Sequence, residues 1–121
     1  VHRVLKPRGL LMLATPNLAA WFNRLLLLLG FQPFFLEAST QDKTVGLAFS
    51  RRFTPNRQPV GHVRAFTLPA LRDLLALHSF SLLRSVGIKV DYLPPFLEPG
   101  NTFFSRFPSL ATEIIVVASK L

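Results

Sequence analysis

The side chains here whose protonation changes near neutral pH are three histidines, at positions 2, 62 and 78. His62 is the candidate catalytic residue. It stands between a long irregular stretch and a helical pattern, where a histidine could take a proton from a phenol or hydroxyl. Its structural alternative is to order the loop through backbone hydrogen bonds, and the sequence names no partner that would fix its geometry. His78 follows Leu71 on an apolar helical stripe and reads as a half-buried structural histidine, while His2 carries no signal. The three fit no metal-ligand spacing, no carboxylate cluster accompanies them, and there is no cysteine. Thr15 and Asn17 are candidates for substrate contact, because Thr15-Pro16-Asn17 ends an apolar strand at the edge where open α/β sheets bind ligands. Asn17 has helix capping as its alternative role. Trp21 and Arg64 complete the candidate substrate-binding set.

The elements that must position these residues follow from hydrophobic period and punctuation. Val1 to Lys6 reads as a helix end stopped by Pro7, and Lys6-Pro7-Arg8-Gly9 as a tight turn. Leu10 to Ala14 is wholly apolar, as a strand of a parallel sheet covered on both faces would be. Leu18 to Leu29 predicts a helix with Asn17 as N-cap and Gly30 just past its end. Its apolar residues surround it, so it is expected to be buried or to face an apolar ligand or a membrane. Residues 31–60 read as a long irregular lid or insertion. Thr67 is a good N-cap, Pro69 suits a first turn, and Leu68, Leu71, Leu74 and Leu75 form one apolar stripe ending near His78-Ser79. Phe80 to Val86 predicts a strand with Phe80, Leu82 and Val86 on one side. Residues 88–108 read as a second irregular insertion, and Thr112 to Ala118 as a β-branched strand. Strand, crossover helix and strand make a parallel unit, with the last strand returning antiparallel.

Composition narrows the classes. The chain has 121 residues, half of them hydrophobic, which disfavours disorder and allows a packed core. Its net charge of +8 favours anionic partners such as nucleic acid, anionic lipid or anionic metabolites. The twelve Phe do not alternate with basic residues as an RNA-stacking surface would, so nucleic acid is not expected. The absence of cysteine excludes a disulfide scaffold and fits a reducing, cytoplasmic setting. The near-apolar run from Leu18 to Leu36 is interrupted by Asn23, Arg24, Gly30, Gln32 and Pro33, so it does not read as a spanning helix. Trp21-Phe22 to Phe34-Phe35 reads equally as buried packing, as a lid over a hydrophobic substrate, or as a peripheral membrane contact through 18–36. Arg51, Arg52 and Arg57 read as a solvated face that could receive a phosphate or carboxylate.

Three segments together resemble the C-terminal half of a class I S-adenosylmethionine-dependent methyltransferase, in its ubiquinone-biosynthesis-type small-molecule subgroup. Arg3-Val4-Leu5-Lys6-Pro7-Arg8-Gly9 running into Leu10–Thr15 resembles the approach to the family's fifth strand. Gly61-His62-Val63-Arg64-Ala65-Phe66-Thr67, followed by Leu71-Arg72-Asp73-Leu74-Leu75 and Phe80, resembles the crossover helix before its sixth strand. Glu113–Lys120 resembles the antiparallel seventh strand. The resemblance implies an α/β fold: the C-terminal part of a Rossmann-like methyltransferase sheet, with two parallel strands, a final antiparallel strand lying reversed between them, and a helical insertion. It implies a core of residues 1–17, 61–87 and 110–121, an insertion at 18–60 and a loop insertion at 88–109.

The activity implied is S-adenosylmethionine-dependent methyl transfer to a small, hydrophobic or lipid-linked acceptor. The family's Gly-rich loop and acidic cofactor residue have no counterpart here, because Gly9, Gly30, Gly46, Gly61, Gly87 and Gly100 are all isolated. They would precede Val1, so the chain alone is expected neither to bind the cofactor nor to turn over. Two positions depart from the family pattern. Arg8 replaces a turn glycine, which predicts a type I turn or a burden shifted to Gly9. Ser79 replaces the glycine after the helix, a position that favours the left-handed conformation. The alternative readings are a non-catalytic, basic, Phe-rich module that binds a lipid surface or nucleic acid, and a degenerate methyltransferase kept as a partner subunit.

Overall fold

β-Branched residues crowd the last segment, and that segment is the middle strand of the sheet. The computed structural model describes residues 1–62 and 64–121; Val63, within the Gly61–Thr67 motif, lies outside the described residues. Chain order runs β1 (Leu10–Pro16), α1 (Trp21–Leu28), α2 (Leu68–Leu77), β2 (Phe80–Ile88), α3 (Glu98–Phe104) and β3 (Glu113–Lys120). Short 3-10 turns occupy His2–Val4, Ala48–Phe53 and Pro95–Leu97. The fold is thus a small mixed α/β arrangement around a three-stranded antiparallel sheet of order β1-β3-β2. Leu13 pairs with Val116 across β1 and β3, and Ser85 pairs with Val116 across β2 and β3. Because β3 runs against both neighbours, β1 and β2 point the same way. They are not hydrogen-bonded to each other, so the expected parallel pair is a pair in direction only, with β3 filling the gap left by the crossover.

One sheet face carries the core. Ile114, Val116 and Ala118 of β3 pack with Leu68, Leu71 and Leu75 of α2 and with Phe80, and Leu11, Leu13 and Leu82 border them. Leucines three and four apart put one stripe of α2 on the sheet, and Leu74 lies at its exposed margin. Thr67 caps α2 as expected, its hydroxyl accepting the Ala70 N–H at 3.3 Å. The helix stops at His78, and Ser79 turns the chain with a φ of 60°. His78 is exposed rather than half-buried, because at the C-cap the stripe has already rotated off the sheet.

The opposite face departs from expectation. Leu10 and Met12 are 62% and 70% exposed, so β1 is not covered on both faces among the described residues. A register shift between Leu82 and Arg84 inserts an extra residue into β2. The bulge sends Val86 to the second face, opposite Ile115, so it does not share a side with Phe80 and Leu82. The turn before β1 also differs. Arg8 itself takes the left-handed conformation, with a φ of 61°, and Gly9 N–H closes the turn on Lys6 O at 2.9 Å. The left-handed position is therefore kept at Arg8, neither abandoned for a type I turn nor passed to Gly9.

α1 begins later than its apolar run, with Ala20 and not Asn17 at the N-cap. It ends as the sequence predicts. Gly30 has a φ of 80°, Phe31 N–H reaches Leu26 O at 2.8 Å, and Gly30 N–H reaches Leu27 O at 3.0 Å. These are the paired bonds of a Schellman C-cap. Only Phe22 and Asn23 of α1 are buried, so its surrounding leucines do not make it a core helix. Segment 88–108 holds a helix that the Pro- and Gly-rich composition concealed. In α3, Gly100 lets the Trp21 indole approach where a Cβ would stand 2.6 Å from a ring carbon.

Candidate functional site

At the carboxyl end of β1, Pro16 stands opposite Glu113 across the ladder, and here the insertion closes over the sheet edge. A cleft of about 520 Å³ lies between them, bordered by Phe34, Phe35, Phe53, His62 and Tyr92 as well as this pair. Its size suits a small organic ligand, and its aromatic walls suit an apolar one.

Buried polar side chains hold the irregular insertion in place. Asn23, fully buried, donates to Leu18 O and Phe34 O at 3.0 Å and accepts the Phe34 N–H at 2.8 Å. That ties α1 to the aromatic wall. Asp42 accepts the Thr44 hydroxyl at 2.6 Å and the Thr44 N–H at 2.8 Å, and pairs with Arg57 at 3.3 Å. The Thr44 hydroxyl, then the Thr44 N–H and the nearby Arg57 and Arg51 charges, hold the Asp42 carboxyl below its ordinary range.

Glu37 connects this scaffold to His62. Its carboxylate accepts the Val60 N–H at 2.9 Å and the His62 N–H at 3.2 Å, and its Oε1 lies 3.7 Å from His62 Nδ1. Nδ1 is buried with no hydrogen-bond partner among the described residues, and 3.7 Å is too long for a bond, so the carboxylate acts on it as a neighbouring charge. Across the cleft, the Tyr92 hydroxyl donates to Glu113 Oε1 at 3.2 Å. Desolvation, followed by the Glu113 charge and that hydrogen bond, pushes the Tyr92 phenol well above the ordinary tyrosine range. The Phe35 ring lies between the two pairs, with centroids 6.2 Å from His62 and 6.5 Å from Tyr92. Phe35 holds a φ of 72°, a costly conformation for a bulky residue that places its ring at the cleft.

Of the candidate residues, the cleft contains His62 alone. Thr15 is on the core face of β1 opposite Ile114, and its hydroxyl bonds locally to Pro16 O. Asn17 is fully buried; it donates to Ser109 O and Ala111 O, accepts the Ala19 N–H, and so ties β1 to the approach to β3. Its side chain is engaged as a structural tie, and the expected N-cap of α1 falls instead to Ala20. Trp21 stacks on Phe104 with centroids 5.3 Å apart, packing α1 against α3 away from the cleft. Arg64 is exposed and does not line the cleft. Sequence reasoning missed Glu37, Tyr92 and Glu113. Glu37 carried a signal, being one of two acids in residues 18–60. Glu113 and Tyr92 meet only through the strand register and a loop fold.

No protein-family model matches this chain, and neither does any curated protein. Its site must be judged on its own chemistry. The residues present do not by themselves fit S-adenosylmethionine. Glu37 already accepts two backbone N–H groups, Glu113 accepts the Tyr92 hydroxyl at Oε1, and among the described residues no glycine lines the cleft to let backbone approach the cofactor closely. Asn17, at the strand end, is likewise engaged. Among the described residues, no three His, Cys, Asp or Glu side chains converge to hold a metal ion.

Proposed function

We propose that this chain is the acceptor-binding side of a class I S-adenosylmethionine-dependent methyltransferase acting on a small, hydrophobic, hydroxyl-bearing acceptor. The observation that carries the reading is the sheet: β3 lies reversed between two strands of common direction, the arrangement that the resemblance implies for the end of such a domain. Left-handed backbone at Arg8 and Ser79, where the family has glycine, supports it locally. The cleft at the carboxyl end of β1 supplies aromatic walls for the acceptor and one base. In this reading His62 takes the acceptor's proton at Nε2, Glu37 orients the ring and balances the charge that forms, and the phenylalanines exclude water. Tyr92, kept protonated, donates to Glu113 and leaves its oxygen to accept a hydrogen bond from the acceptor's polar end.

The test uses the full-length gene product. Saturating S-adenosylmethionine is expected to raise its melting temperature, while the 121-residue chain alone shows no shift. With labelled cofactor and apolar phenols as acceptors, His62→Ala is expected to lower kcat by about 10²- to 10⁴-fold, and Glu37→Gln by less. A full-length protein indifferent to the cofactor overturns the reading.

A further inference from the structure

Beside the cleft mouth runs an apolar surface that the fold does not cover. Leu28 and Leu29, at the end of α1, are 82% and 70% exposed. Two residues on, Phe31 packs edge-on against Phe49 with centroids 5.1 Å apart, and both remain exposed. Phe49 is the second residue of the Ala48–Phe53 turn, whose last residue, Phe53, borders the cleft and meets Phe96 at 5.4 Å. Exposed leucine and phenylalanine therefore recur from the end of α1, through the Phe31–Phe49 pair, to the Phe53–Phe96 pair at the cleft. Single apolar residues on a surface need no explanation, but this many on neighbouring segments do.

The charges beside it are of one sign. Arg51 and Arg52 sit between Phe49 and Phe53, both exposed and neither in an ion pair among the described residues, although Arg51 Nε donates to the Thr44 hydroxyl at 3.2 Å and its charge acts on Asp42. The only acids of residues 18–60 are Glu37 and Asp42, already engaged with His62, Val60, Thr44 and Arg57. We infer that this surface docks on an anionic lipid bilayer, with the leucines and phenylalanines in the headgroup boundary and the arginines on lipid phosphates. A second copy of the chain fits less well, since a two-fold contact through this patch would set Arg51 and Arg52 against their own counterparts. Nucleic acid would leave Leu28 and Leu29 without a role. Among the described residues no helix is long and apolar enough to cross a membrane, and the contact inferred is one that lies on the surface. Docking rests on exposure and charge alone. That it lets a bilayer-dissolved acceptor enter the cleft rests on the methyltransferase reading.

Flotation of the full chain with vesicles tests it without cofactor or acceptor, so the outcome is independent of methyl transfer. Binding is expected to vesicles of phosphatidylcholine mixed with phosphatidylglycerol, to be weak on phosphatidylcholine alone, and to fall at high salt. Leu28→Glu with Leu29→Glu is expected to weaken binding at least about tenfold, and Arg51→Glu with Arg52→Glu at least about fivefold per arginine. Melting curves confirm that the variants fold; should the glutamate pair not fold, Leu28→Ser with Leu29→Ser asks the same question. A chain that stays off phosphatidylglycerol vesicles overturns the inference. So does undiminished binding by the variants, a solution dimer that the leucine variant dissolves, or retention on RNA in place of vesicles.

Discussion

Arg8 holds its backbone in a region where an L side chain costs about 1–2 kcal/mol. Arg8→Gly relieves that strain but gives the unfolded chain more freedom, worth about 0.5–1 kcal/mol in the other direction. The substitution is expected to stabilise the fold by about 0.5–1 kcal/mol in urea denaturation, and a loss of stability would show that the arginine side chain holds the turn. At the same scale, the sequence made His62 visible because histidine is rare and chemically marked. It could not show that Glu37, 25 positions earlier, turns its carboxylate onto the same imidazole. A pair so far apart in sequence meets only because residues 31–60 fold back as a unit.

That unit is the element most open to acid. Asp42 is its clasp, and the clasp works only while the carboxyl is ionised. Its folded-state pKa lies below the ordinary 3.8, so its stabilising effect is complete above that value and disappears as pH falls through the lower one. Hydrogen exchange at Lys43 and Thr44, corrected for the intrinsic rate, is expected to stay flat from neutral pH to about 5 and to rise only in stronger acid. Asp42→Asn is expected to expose those amides at every pH, and an unchanged rate would remove Asp42 from the clasp. Elements with a clean period were legible: α2, with its Thr67 cap and leucine stripe, stands almost where the spacing puts it. α3 was not, because Pro99 and Gly100 lower helix propensity, and the helix is held by tertiary contacts: Trp21 packs on Phe104 and Gly100, and buried Asn101 donates to Val90 O and accepts the Thr112 hydroxyl.

For the molecule as a whole, the decisive feature is a sheet with one packed face and one largely open one. Leu10, Met12, Leu83 and Val86 are exposed. β1 and β2 each have a free edge among the described residues. Open edges beside exposed apolar side chains invite association. Met12→Lys is expected to leave the melting temperature nearly unchanged and to reduce concentration-dependent light scattering; scattering that persists would place the adhesive surface elsewhere, with the apolar surface at α1 as the next to test.

The one-dimensional pattern determined the chain's elements. Local chemistry alone fixed a turn at Pro7, an apolar strand after it, a Thr67-capped helix, a glycine-ended α1 and a β-branched final strand. Each depends on neighbours within a turn or two, which a sequence displays directly. Tertiary structure alone decided that a bulge turns Val86 to the other face and that α1 leaves its leucines bare. It also decided that His62 meets Glu37 while Asn17 and Trp21 are engaged in packing. Those outcomes are set by which distant surfaces bury one another, and spacing along a chain does not encode that.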